Sequence, residues 1–178
     1  MLDLETLGTR PGCAILSIGA VAFDPPTMAL GPAFYTVVNR QSCRAVGLHE
    51  NTTTIAWWSR RSEEAREVLT EVDSVAAPTI GDTLEMFATF VRPFSGKCRV
   101  WGCGSDFDNA ILAHIYAVTG RPLPWRYTNN RCYRTLKNLV KQVPLQRAGT
   151  HHNALDDARS QALHAMDMLA LLSRAYRQ

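Results

Sequence analysis

Leu2-Asp3-Leu4-Glu5, then Ala14-Ile15-Leu16-Ser17-Ile18-Gly19-Ala20-Val21-Ala22-Phe23, are the two runs on which the fold turns. In the first, apolar and acidic residues alternate. A strand sends alternate side chains to opposite faces, so Asp3 and Glu5 share one face while Leu2 and Leu4 face a core. The second run is continuously apolar and β-compatible, and Asp24-Pro25-Pro26 ends it. A further strand is expected over 34–38, close enough to pair with the second as a hairpin.

Beyond this hairpin the periodicity turns helical. Helices are expected over 52–59 and from Ser62, where Glu63 and Glu64 follow a capping serine. Over 79–91, Ile80, Leu84, Phe87 and Val91 recur at helical spacing and Pro93 stops the run. A short strand at 99–101 precedes a helix from Ser105 or Asp106 to about 119. Another helix is expected over 131–142. A last one starts at Asn153, with an apolar stripe of Leu155, Ala158, Ala162, Met166, Leu169 and Leu172. Strands first, then helices with an interleaved strand, describe an α/β fold with a mixed sheet flanked by helices.

The chain has 178 residues, 46% hydrophobic and 20% charged, which suits one soluble domain over 1–178. It contains no apolar run of membrane-spanning length and no signal-peptide pattern, so a cytoplasmic protein is expected. The five cysteines, Cys13, Cys43, Cys98, Cys103 and Cys132, show no Cys-x-x-Cys spacing. They read as small half-buried residues rather than a disulfide or zinc framework. The formal net charge is only +3, but no Asp or Glu occurs from 109 to 155. That stretch carries Arg121, Arg126, Arg131, Arg134, Lys137, Lys141 and Arg147. Such a segment is either a solvated basic surface or a face for an anionic partner, of which nucleic acid is the obvious one.

Three acidic segments carry chemistry. Asp3 and Glu5 on one face of a buried strand repel each other unless a cation neutralises them, and hard carboxylate oxygens select Mg²⁺ or Mn²⁺. The bland alternative is two exposed acids at a frayed terminus. In Gly102-Cys103-Gly104-Ser105-Asp106-Phe107-Asp108-Asn109 a strand hands over to a helix, with Ser105 as its cap. Asp108 then either completes a capping box or points at the metal, with Asp106 the rival ligand. In His151-His152-Asn153-Ala154-Leu155-Asp156-Asp157-Ala158, an Asn153 N-cap makes His152 the residue before the cap and Asp157 the fourth inside the helix. Those positions meet in space, and Asp156 sits where a capping carboxylate belongs. A histidine beside a metal can take a proton from water.

Asp3-x-Glu5, Phe107-Asp108 and His152-x-Ala154-x-x-Asp157-Ala158, taken in order, resemble the DEDDh 3′→5′ exonucleases over nearly the whole chain. Thr6, Gly8 and Gly19-Ala20-Val21-Ala22 are similar to that family as well. Thr54-Ile55-Ala56-Trp57-Trp58-Ser59 with Ser62-Glu63-Glu64-Ala65-Arg66 resembles a phage and bacterial subgroup of DexA-type exonucleases and a mycobacterial-type exoribonuclease. The resemblance implies an RNase H-like fold with a central mixed five-stranded sheet. It also implies two divalent ions, Mg²⁺ or Mn²⁺, roughly 4 Å apart. Asp3, Glu5, Asp108 and Asp157 would ligate them, and His152 would serve as base toward the attacking water. The substrate would be the 3′ end of single-stranded RNA or DNA, the product a nucleoside 5′-monophosphate. By similarity, Leu4, Thr6 and Leu7 cradle the terminal nucleotide. Trp57 or Trp58 walls in a base, or else serves core packing or a homodimer contact. Arg131, Arg134 and Lys137, at helical spacing, would grip phosphates, while Tyr133 reads as packing. A non-catalytic nucleic-acid-binding module and a phosphodiesterase for dinucleotides are the alternatives. Only two residues precede Asp3, so either the true start lies upstream or the first strand is short.

Overall fold

The computed structural model describes residues 1–94, 96 and 98–175. Strand β1, Leu2–Thr6, pairs antiparallel with β2, Ile15–Asp24, setting Asp3 opposite Gly19 and Glu5 opposite Ser17. Strand β3, Ala29–Val37, completes an antiparallel sheet in the order β1-β2-β3. It starts earlier than the apolar pattern indicates, because its first residues are exposed on an edge where no burial marks them. Helices α1 (Arg40–Ala45), α2 (Thr52–Trp58), α3 (Glu63–Glu71) and α4 (Ile80–Val91) follow. Asn39, Asn51, Ser62 and Thr79 cap them, each side chain accepting from backbone N–H groups of the first turn. The sequence reading did not foresee α1, whose six residues bury only Cys43. All five cysteines are free.

Strand β4, Val100–Gly102, pairs in parallel with β5, Asn130–Cys132. Between them lie a π turn, Ser105–Asn109, and helix α5, Ala110–Val118. Helix α6, Tyr133–Leu139, and the long α7, Ala154–Ala175, complete the chain. The helix expected over 131–142 is therefore a three-residue strand followed by a shorter helix, because Asn130 to Cys132 finds a ladder beside β4 that a local pattern cannot reveal. Arg131 consequently leaves the helical row shared by Arg134 and Lys137.

The expected single five-stranded sheet is also corrected. Five strands are present, but among the described residues they form hydrogen-bonded groups of three and two. One backbone group that could have joined them is otherwise engaged. The Leu4 N–H donates to the Asp108 carboxylate at 3.1 Å instead of to a β4 carbonyl.

The two faces of β1 and β2 serve different cores. Leu2, Leu4, Ile18 and Ala20 join Leu84, Phe87, Ile111 and Ile115 in the larger one. Val21 joins Tyr133, Leu136, Ala158, Ala162, Ala165 and Met168 in a second, under α6 and α7. Asp3, Glu5, Ser17 and Gly19 share this second face, which brings α7 down onto the acidic side of β1. The approach is very close: a Cβ on Gly19 would overlap the backbone of Ala154 and Leu155. That contact also changes the apolar stripe of α7. Ala154 is fully buried at its start while Leu155 is only half-buried, because the narrow gap over Gly19 accepts the small side chain.

Gly19→Ala would thus drive a methyl group into helix backbone, which cannot rotate aside. The expected cost is about 1–3 kcal/mol of stability, a fall of roughly 3–10 °C in Tm on thermal unfolding. An Ala22→Gly control, on the same strand, should leave the acidic face undisturbed. An unchanged Tm for Gly19→Ala would refute the close contact.

Candidate active site

Asp3, Glu5 and Asp157 present carboxylate oxygens that all lie within 4.8 Å of one another. All three side chains are buried. Asp3 and Glu5 come from alternate positions of β1, and Asp157 from the first turns of α7. Asp3 accepts a 2.7 Å hydrogen bond from Gln161 Nε2, one helical turn beyond Asp157. The short β1 is thereby pinned at Asp3 by its ladder with β2 and by a side chain of α7.

Asp108 is the fourth carboxylate. It is 1% exposed, whereas Asp106, the other acid of the segment, lies in solvent. The expected Ser105 cap is not formed. Gly104, at φ 100°, precedes a π turn with no side-chain cap, and the wider turn swings Asp108 inward. Its two oxygens accept from Leu4 N at 3.1 Å and from Cys103 N at 2.7 Å. Arg134 braces the same loop by donating to the Cys103 carbonyl at 2.7 Å.

Burial sets the electrostatics. It pushes Asp3 well above the ordinary carboxylate range, with the Asp108 charge adding to the effect and the Gln161 hydrogen bond opposing it. Glu5 is raised for the same reason, then by Asp3, Asp157 and Asp108. Asp108 rises to about 7 through desolvation, against its backbone hydrogen bonds. A cluster of oxygen-only donors that resists ionising is the environment in which a hard divalent cation is most stabilising, so the residues present fit such an ion.

At the start of α7, Asn153 caps as expected, accepting from Leu155 N at 3.1 Å and Asp156 N at 3.2 Å. Asp156 does not bridge to the cap. Its carboxylate accepts from Thr150 N at 2.9 Å and ties down the preceding loop. His152 and Asp157 converge: the His152 N–H donates to Asp157 Oδ2 at 3.0 Å, and a ring nitrogen lies within 4.8 Å of Asp157 and of His151. His152 adopts φ 70°, a left-handed conformation that costs a side-chain-bearing residue energy and that its sequence position did not announce. Burial, and then the neighbouring His151, hold its pKa below the usual histidine value.

The tryptophans differ. Trp58 is 1% exposed and donates its indole N–H to the Thr6 carbonyl at 2.9 Å, so it is a core residue beneath the site. Trp57 is half-buried, its ring edge-on to His152 at 4.8 Å, with the Arg61 guanidinium 4.3 Å above it. Both line a cavity of about 290 Å³ beside Glu5, with Thr6, Gly8, Thr9, Thr53 and Thr54. Leu4 and Leu7 belong to the apolar core, so any part they take in a cradle is through backbone. Arg131 folds onto the Thr128 and Asn130 carbonyls, away from the carboxylates. Tyr133 packs, buried against His164.

Two contacts escaped the sequence reading. Gln161 was legible in principle, since it falls four positions after Asp157 on the same helix face. Arg147, which pairs with Asp157 Oδ1, was visible only as one member of a basic segment.

The sequence matches the family described as the 3′-5′ exoribonuclease Rv2179c-like domain over residues 1–169. It is 26% identical over 125 residues to an exodeoxyribonuclease of Enterobacteria phage T4, a match covering 65% of this chain and 54% of the phage protein. The fold is similar to the nuclease domain of 3′hExo, a DEDDh family member bound to rAMP. That match has a TM-score of 0.63 and 16% identity, over 95% of this chain and 90% of the other. It is also similar to cell-death related nuclease 4, with a TM-score of 0.58 and 14% identity over 96% of this chain and 63% of the other. With an α/β fold and its acidic motifs in order, the chain belongs to the 3′-5′ exoribonuclease Rv2179c-like domain family.

Proposed function

We propose that this chain is a metal-dependent 3′→5′ exonuclease that removes nucleoside 5′-monophosphates from single-stranded nucleic acid. The observation that carries the reading is the meeting of Asp3, Glu5 and Asp157 within 4.8 Å, with His152 at their rim. Asp3, Glu5, Asp108 and Asp157 would hold two divalent ions, Mg²⁺ or Mn²⁺, which when bound activate the attacking water and stabilise the leaving 3′ oxygen. His152 takes the proton of that water. Its depressed pKa keeps the imidazole neutral at neutral pH, as a base must be. The His152 backbone N–H bond to Asp157 holds the residue's main chain, and Trp57 packs edge to face against its ring.

The cavity beside Glu5 takes the terminal nucleoside. At about 290 Å³ it is of the size that encloses one small ligand. Trp57 walls the base, and Thr6, Thr9, Thr53 and Thr54 complete the lining around the sugar. The exoribonuclease description of the matching family favours RNA, whose 2′-hydroxyl both donates and accepts hydrogen bonds. Arg134, beside the Asp108 loop, contributes positive charge along the path of the strand. No helix among the described residues is long and apolar enough to cross a membrane, and we place the activity in the cytoplasm.

Purified protein with 5′-labelled RNA and DNA oligomers of one sequence tests the reading. A ladder shortening from the 3′ end, abolished by EDTA and faster on RNA, is expected. Asp3→Asn and Asp157→Asn should each lower turnover by at least about 10³-fold, a loss of several kcal/mol of transition-state stabilisation. His152→Ala should lower it by about 10²–10⁴-fold with Mn²⁺ affinity retained. A salt-sensitive gel shift without shortening would favour a binding module instead.

The raised carboxylate pKa values give a second test. Between the ordinary carboxylate value and about 7 for Asp108, the folded state binds more protons than the unfolded chain. Metal-free stability therefore falls as pH rises through that window. Tm in EDTA should decline from pH 5 to pH 8, and Mg²⁺ should restore it more at pH 8 than at pH 5. The Met1 ammonium, lowered to about 5 by burial, and His152 act in the opposite sense, so the acids' share is read against Asp108→Asn, and an equal slope in that variant would contradict the raised value of Asp108.

A further inference from the structure

Arg147 lies on the loop between α6 and α7, and its guanidinium is paired with Asp157 Oδ1. The other Asp157 oxygen is held by the His152 N–H, so Oδ1 is the oxygen free to ligate, and Arg147 covers it. Among the described ion pairs, this is the one that involves a carboxylate of the acidic cluster.

The backbone beside Arg147 is stitched to α7. Ala148 N donates to Ser160 Oγ at 3.1 Å and Thr150 N to Asp156 at 2.9 Å. The side chain itself is 44% exposed, whereas its partner Asp157 is 10% exposed. A fixed root, an exposed long stem and a buried anchor describe a group that can swing without moving the loop.

We propose that Arg147 exchanges partners during the reaction cycle: it neutralises Asp157 while the carboxylates are unloaded, yields Oδ1 to the incoming cation, and then grips a phosphate of the bound strand. This rests on the exonuclease reading. The exchange follows from charge. With no cation bound, the guanidinium is the positive charge paired with the buried Asp157 carboxylate. Once divalent charge enters, a guanidinium against the same carboxylate is repelled, and the phosphodiester arriving at the rim is the nearest anion. A planar guanidinium suits both partners, since carboxylate and phosphate each accept its forked N–H groups. Arg147 in this account binds substrate and shields the empty site.

The test separates the two halves of the cycle. Mn²⁺ binding without nucleic acid is measured by titration calorimetry or electron paramagnetic resonance, on wild type, Arg147→Ala and Arg147→Lys. Binding of a 5′-fluorescein RNA decamer with a 3′-terminal phosphorothioate linkage is then measured in Ca²⁺ across a salt series. Arg147→Ala should bind Mn²⁺ about two- to five-fold more tightly, because its competitor is gone. It should bind the decamer roughly ten-fold more weakly, with the slope of log affinity against log salt reduced by about 0.7. Arg147→Lys should recover the salt slope but only part of the affinity. Unchanged or weaker Mn²⁺ binding by Arg147→Ala overturns the competition, and an unchanged salt slope overturns the phosphate contact. If wild-type protein binds no Mn²⁺ that Asp3→Asn abolishes, the exonuclease reading itself falls, and this inference with it.

Discussion

The first turn of α7 rests directly on the backbone of β2 at Gly19, with no side chain between them. Ser17 and Gly19 are the cross-strand neighbours of Glu5 and Asp3, and both are small. The gap they leave is filled by Ala154 and by the Asp157 carboxylate, not by a large apolar residue. Three carboxylates thus meet because two backbones can approach closely. Their mutual repulsion opposes that arrangement, so it has to be imposed by packing on both sides. The apolar residues of α7 beyond its first turn, Ala158, Ala162, Ala165 and Met168, supply that packing against Val21, Tyr133 and Leu136.

What repulsion would scatter, hydrogen bonds keep in place. Asp3 accepts from Gln161, Asp108 from two backbone N–H groups, and Asp157 from the His152 N–H and from Arg147. Each such bond favours the charged form, while burial favours the neutral one, and for Asp3 and Asp108 burial wins. The same division appears at His152. Its backbone serves Asp157 from a left-handed conformation, while its ring lies between His151 and Trp57. A single residue therefore couples the helix start, the acidic cluster and Trp57 in the wall of the cavity beside Glu5.

The parts of this design that depend on local pattern were readable in the sequence. The alternation in Leu2 to Glu5, the caps at Ser62 and Asn153, and the meeting of His152 with Asp157 across the Asn153 cap all follow from spacing. The parts that depend on distant partners were not. Strand β5 exists because β4 lies beside it, and nothing in Asn130-Arg131-Cys132 announces a strand. The π turn that buries Asp108 looks in sequence like an ordinary capped helix start. Trp57 and Trp58 are adjacent and chemically identical, yet one lies half-buried against His152 and the other is fully buried and donates to the Thr6 carbonyl. Arg147 was lost in a basic segment because charge alone does not say which cation turns inward.

Asp108 stands between the two groups of strands. One oxygen takes the N–H of Leu4 in β1 and the other takes the N–H of Cys103 at the end of β4, where a continuous sheet would have had ladder bonds. A side chain of the acidic cluster is therefore also a piece of the framework. Descendants of such a chain cannot discard this acid as freely as they could an exposed one. Drift at position 108 removes a support for two strands at once, and even Asn would satisfy only one of the two N–H groups, since its other terminal atom is a donor. Selection for folding alone would keep an acceptor here, and a retained Asp108 is weaker testimony to activity than a retained Glu5, which among the described hydrogen bonds holds nothing together.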